Sequence, residues 1–119
     1  TTSRDRTIMA RLKLLELRCF ESEDSGGDEA YITVGNDKVW SIDEIENGET
    51  ASLRSVAPIP FSGSVDVTLW DKDTGIFDSD DNLGKVTISD GLVGEHEQEF
   101  RFDQDGADYL LIYTVLGDE

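Results

Sequence analysis

The sequence has little that is basic, sulfur-bearing or ring-nitrogenous. Ten Lys and Arg stand against 27 Asp and Glu, giving a formal net charge of −17. That balance excludes a nucleic-acid surface, which needs clustered Lys and Arg against phosphate. It also disfavours electrostatic docking on anionic lipid. A single cysteine, Cys19, excludes an internal disulfide framework and a Cys-rich zinc site; within an apolar run it reads as a buried core thiol. The only histidine, His96, lies beside Glu95 and Glu97 with no G-x-S-x-G motif to supply a nucleophile, so it reads as a surface residue. No apolar run approaches the ~18 residues of a membrane span. The N-terminal stretch T-T-S-R-D-R-T has no apolar signal-like segment. This start suits a processed product or an excised domain and leaves the compartment open, with an extracellular or cell-surface setting favoured.

What is present is one domain's worth of strand-forming sequence. Residues 1–119 read as a single unit, with 1–8 as a loose N-terminal extension. No segment sustains a 3.6-residue period. Short β-rich runs recur instead between Gly, Asp, Asn and Ser, as in a sandwich or barrel. They fall at Leu12–Phe20, Ala30–Val34, Lys38–Ser41, Thr50–Val56, Ser64–Trp70, Leu83–Ser89, Glu97–Phe102 and Tyr109–Leu116. The expected fold is therefore all-β, a single eight-stranded antiparallel β-sandwich. The first run switches phase between Leu14 and Leu15, which predicts a bulge. Gly35-Asn36-Asp37 predicts a hairpin turn. Pro58 and Pro60 bar a central strand in 57–61, so that stretch is expected to be a connection.

The most informative stretch is residues 71–84, D-K-D-T-G-I-F-D-S-D-D-N-L-G. Asp71, Asp73, Asp78, Asp80 and Asp81 fall within eleven positions with Lys72 as the one base. Like charges crowded into a folded loop are costly unless something cancels them. Hard oxygen ligands at irregular spacing suit Ca²⁺, which takes 6–8 oxygens in flexible geometry. A solvated acidic loop is the plainer reading of the same residues. An EF-hand loop fits worse: Gly75 sits at the fifth position, Asn82 stands at the twelfth, and the flanks read as strands.

Strand parity extends the argument. If every strand crosses the sandwich, connections 22–29, 42–49 and 71–82 share one end. They carry thirteen acids against one base. We assign 35–37, 57–63, 90–96 and 103–108 to the other end. A salt-adapted surface would spread its acids; charge focused at one end argues for a cation there.

The local sequence then resembles the C-two (C2) domain, named for the second conserved region of protein kinase C. E-D-S-G-G-D-E-A-Y-I-T-V is similar to that family's first calcium loop. Tyr31 matches its Tyr, Ala30 replaces its Pro, Glu29 takes the place of its second Asp, and Asp24 or Glu23 matches its first. W-D-K-D…D-N-L-G is similar to its third loop, giving Asp71, Asp73 and Asp81, with Gly84 opening the next strand. A third loop about two residues longer than usual adds Asp78 and Asp80. The resemblance implies the circularly permuted strand order and a Ca²⁺ cofactor held by Asp24, Asp28, Glu29, Asp71, Asp73, Asp78, Asp80 and Asp81.

The function expected is a non-catalytic calcium-binding module, not an enzyme, acting as an adaptor or accessory domain for a protein partner or parent polypeptide. Two alternatives stand beside it. Ile76 and Phe77 are apolar residues inside the acidic loop, a weak membrane or partner contact if the module is calcium-triggered. Trp40, Trp70, Tyr31 and Tyr113 could serve a carbohydrate-binding module, although Trp40 and Trp70 end strands and read rather as caps on the core. No nucleic acid and no stable anionic membrane partner are expected.

Overall fold

The computed structural model describes residues 9–73 and 79–117. The expected N-terminal extension, together with Ile76, Phe77 and Asp78, lies outside the described residues. Nine strands form among the described residues: β1 (Ala10–Glu21), β2 (Ala30–Val34), β3 (Asp37–Ser41), β4 (Thr50–Ser52), β5 (Ile59–Phe61), β6 (Ser64–Asp71), β7 (Asp81–Ser89), β8 (Gln98–Phe102) and β9 (Asp108–Gly117). A 3₁₀ turn at Asp90–Leu92 sits between β7 and β8, opened by Ser89, whose hydroxyl accepts from the Gly91 N–H. All pairings are antiparallel. One sheet runs β4-β1-β9-β8 with β5 also on β1; the other runs β3-β2-β6-β7.

The strands form where apolar residues alternate, so one face of each sheet is dry. Leu12, Leu14, Leu17 and Cys19 of β1 meet Ile32, Val67, Leu69, Leu83 and Ile88 of the facing sheet in one core cluster with Phe102, Tyr109, Leu111 and Val115. The expected bulge is present: β1 slips against β9 between Leu14 and Glu16, and the carbonyl of the extra residue, Leu15, accepts from the Leu53 N–H at 2.9 Å. The β2–β3 hairpin turns on Gly35 and Asn36, with Gly35 at φ +61° and Asp37 already in β3.

Three expectations change. A ninth strand forms across Pro60. It pairs only with the rim of β1, Arg11 opposite Pro60, where an edge position tolerates a residue without an N–H. Because β4 and β5 occupy successive stretches along β1, they act as one interrupted edge strand, and the acidic connections after β1 and β6 keep the permuted order the resemblance implied. Trp40 packs against the core, but Trp70 does not. Leu69 points inward, so alternation turns Trp70 outward, where it stacks on Tyr31 (6.1 Å, 11°) and donates to Thr33 Oγ1 at 3.0 Å. Finally, connection 103–107 belongs to the acidic end. Asp108 opens β9 opposite Glu21, the last residue of β1, and the Gln104 N–H donates to the Leu83 carbonyl at 3.1 Å. With Asp103, Asp105 and Asp108 added to the twelve described acids of the other three connections, the described acids at that end number fifteen.

Candidate metal centre

The first loop folds around a buried carboxylate. Asp28, 1% exposed, accepts from the Glu23 N–H at 2.8 Å, from the Asp24 N–H at 2.9 Å and from the Tyr109 hydroxyl of β9 at 2.5 Å. Its backbone exchanges two 2.9 Å bonds with Ile45, which zips the loop to connection 42–49. Gly27, at φ +98°, lets the two loops close: a Cβ there would stand 3.0 Å from Glu46 Cγ. The result turns Glu23 and Asp24 toward the end of β6.

The third loop is set by pairing. Asp71 closes β6 opposite Ala30 of β2 on one side and Asp81 of β7 on the other. Leu83 is extra in β7, since Leu69 pairs Gly84 while Trp70 pairs Asn82. Gly84, at φ +145°, is required there: a Cβ would come 2.8 Å from Phe102 Cδ1 of the opposite sheet. This bulge brings Asp81 level with Asp71. Asp80 bonds the Tyr31 hydroxyl and accepts from the Asp73 N–H at 3.1 Å. Those bonds, Tyr31 foremost, hold its pKa below the ordinary carboxylate range.

Among the described residues three overlapping carboxylate groups result, each with ligand oxygens within 4.8 Å of one another: Glu23, Asp24, Asp28 and Asp71; Asp71, Asp73 and Asp81; and Glu23, Asp81 and Asp105. Asp24, Asp28, Asp71, Asp73 and Asp81 of the expected ligand set are brought together. Glu29 and Asp80 are outside these groups, and Asp78 is outside the described residues. Glu29 instead offers its backbone, N–H to Asp71 Oδ1 at 3.1 Å and carbonyl to the Lys72 N–H at 2.8 Å. Glu23 and Asp105 join beyond that set. Glu23 was legible as the alternative to Asp24; Asp105 was hidden by the assignment of its connection to the wrong end.

The electrostatics are those of a site short of positive charge. Asp71 is 1% exposed; its Oδ1 accepts the Glu29 N–H, but its Oδ2 is buried without a hydrogen-bond partner among the described residues. Glu23 Oε1 is likewise buried and unpartnered. Burial first, then a proton shared with Glu23 and Asp24, pushes the Asp71 carboxyl up to about 9. For Glu23 the bond to Asp71 pulls down, but desolvation and the charges of Asp24 and Asp81 outweigh it and leave the carboxyl at about 7. Two acid oxygens facing each other in the dry are satisfied only by a shared proton or by a cation. Every donor is a carboxylate oxygen, with no His or Cys in any group. That donor set and spacing fit Ca²⁺, whose oxygen ligands stand about 2.3–2.6 Å from the ion.

A two-sheet antiparallel sandwich with acidic loops gathered at one end is the architecture of a C2 domain, and this chain has that fold. A structure described as a C2 domain aligns at TM-score 0.58 and 22% identity, over 92% of this chain and 98% of that one. The calcium-bound tandem C2 domains of extended synaptotagmin 2 align at TM-score 0.58 and 20% identity, over 93% of this chain and 45% of that one. Human GIVD cytosolic phospholipase A2, in complex with an inhibitor and terbium chloride, aligns at TM-score 0.61 and 17% identity, over 95% of this chain and 17% of that one. The chain thus spans less than half the length of the latter two proteins. At these identities the likeness is one of fold. No family model and no curated protein sequence matches the chain.

Proposed function

We propose that this domain is a non-catalytic Ca²⁺-binding module that serves as an adaptor or accessory unit for a protein partner or parent polypeptide. The observation that carries the reading is the unpartnered Asp71 Oδ2, buried where the first and third loops meet and surrounded by carboxylates. Asp71, Asp73 and Asp81 from the third loop and Glu23, Asp24 and Asp28 from the first would hold the ion. Ca²⁺ would supply the positive charge the cluster lacks and lock the two loops together. Asp28 contributes with its fold already fixed by Tyr109; Asp71 contributes at the cost of its proton. Calcium-bound extended synaptotagmin 2, which shares the fold, is consistent with the reading.

The carbohydrate alternative is weaker. Trp70 spends a face on Tyr31, and Lys38 Nζ stands 4.4 Å from the Tyr31 ring centroid, so these aromatics are engaged with each other and with Lys38. His96 is exposed, as a surface residue would be. Isothermal titration with CaCl₂ tests the function directly. Saturable binding by the wild type that collapses in Asp71→Asn supports it; flat titration of the wild type at millimolar Ca²⁺ sinks it.

A further inference from the structure

We infer that Asp105, from the loop between β8 and β9, is an additional ligand of the same centre, so that three loops and not two close on the cation. The inference rests on the calcium reading above and concerns who holds the ion. Asp105 groups with Glu23 and Asp81, one residue from each loop already implicated. Glu23 also belongs to the group containing Asp28 and Asp71, and Asp81 to the group containing Asp71 and Asp73. The three groups are therefore one continuous strip of oxygens with Asp105 at its outer end. The strip asks for a cation independently of its acidity, because Asp71, 1% exposed and part of it, keeps a buried Oδ2 without a partner among the described residues, as Glu23 does its Oε1.

The fold brings Asp105 there by two contacts. Absence of a Cβ at Gly84 lets Phe102 close on the start of β7. The Gln104 N–H then bonds the Leu83 carbonyl, two residues from Asp81. Asp105 itself adopts φ +59° ahead of Gly106 at φ +83°, a turn that Asp and Asn accept better than other side chains. With Glu23 and Asp81 alone, a cation at the outer end of the strip would have two side-chain carboxylates; Asp105 makes three, nearer the oxygen count that Ca²⁺ prefers.

The test compares Asp105→Asn with Asp103→Asn in calorimetric CaCl₂ titrations of the whole chain. Asn suits the positive φ, so the loop keeps its course, and a circular dichroism melt without calcium confirms folding. The expected result is a loss of one binding step, or a weakening of roughly tenfold or more, in Asp105→Asn, with Asp103→Asn close to wild type. A Tb³⁺ luminescence titration of the same variants gives a second readout that a purely structural role would leave unmoved. If the wild type binds Ca²⁺ and Asp105→Asn binds it identically, the inference is overturned while the proposed function stands. If the wild type binds no Ca²⁺, both fall together.

Discussion

Asp71 and Glu23 face one another between the third and first loops, each with a buried carboxylate oxygen that no N–H or hydroxyl of the described residues reaches. Among the described residues no N–H or hydroxyl reaches these two oxygens; the Glu29 N–H serves Asp71 Oδ1, and Lys72, the one base in the third loop, gives its backbone N–H to the Glu29 carbonyl. A bound cation replaces the proton the two oxygens otherwise share. The first expected outcome is thermal. A ligand bound by the folded form alone stabilises by about 2.7 kcal/mol at a hundredfold excess over Kd, which for a domain of this size raises Tm by roughly 10 °C. Millimolar CaCl₂ should produce such a shift, and NaCl of equal ionic strength should do much less. An equal shift from both salts would return the acidity to general salt adaptation.

Asp71→Asn should separate repulsion from binding. In the calcium-free protein the Asp71 carboxyl, raised to about 9, already holds its proton near neutral pH, so the amide replaces one neutral group with another in a dry, acidic site and can donate toward Glu23. Without calcium the variant should melt at or above the wild-type temperature, and its response to calcium should be largely lost. A variant that melts much lower than wild type in EDTA would mean that Asp71 is ionised and stabilised by a group other than a cation.

The raised carboxyls fix a sign for pH dependence. With folded-state values of about 9 for Asp71 and about 7 for Glu23, both above the ordinary carboxylate range, the folded protein holds more protons than the unfolded chain between about pH 4 and pH 9. This contribution is complete below the unfolded values and is lost as pH rises through the folded ones. In EDTA, Tm should fall from pH 5.5 to pH 8.5. The calcium-induced increment should grow over the same range, because the ion competes with protons for the same oxygens. A calcium-free protein that gains stability over this interval would contradict the shared-proton description.

Tyr109 makes the first loop dependent on the last strand. Its hydroxyl, wholly buried, donates to Asp28 Oδ2, and burial followed by that bond drives the phenol's pKa far upward. Tyr109→Phe should cost about 1.5–3 kcal/mol, the usual range for a hydrogen bond to a charged group. Calcium should recover part of the loss, since Asp28 retains both backbone donors from Glu23 and Asp24. A neutral effect on Tm would show that solvent or a neighbouring group replaces the hydroxyl.

Much of this arrangement is legible in the sequence, for reasons that differ by element. The bulge at Leu15 could be read because two consecutive leucines break a period of two, and only an extra residue can keep both Leu14 and Leu17 inside. Asp71, Asp73 and Asp81 could be read because a strand pair returning through one loop must bring its ends together. The short β5 could not, since proline rules speak against central strands and are silent about a rim pairing opposite Arg11. The choice between Asp28 and Glu29 was equally out of reach. It is made by Tyr109, eighty-one positions away, and by a backbone bridge to Ile45 that no local pattern announces. Asp105 was lost to a parity slip: the connection after β8 returns to the end where β1 finishes.

The final prediction concerns lipid. Attraction to an anionic leaflet decays within a Debye length, ~8 Å at physiological salt, so charge at the loop end matters more than the total. The described acids of that end far outnumber the bases set among them, Lys72, Lys38 over the Tyr31 ring and Arg101 at 2.7 Å from Asp108. Two bound Ca²⁺ would add four positive charges, which leaves the surface strongly repulsive. Ile76 and Phe77 are the apolar residues that could offset this, and full insertion of both would contribute at most ~3–6 kcal/mol. The domain is therefore expected not to co-sediment with phosphatidylserine vesicles at millimolar Ca²⁺ and physiological salt. Calcium-dependent sedimentation that disappears in Phe77→Ser would overturn this expectation and make the domain a calcium-triggered membrane module.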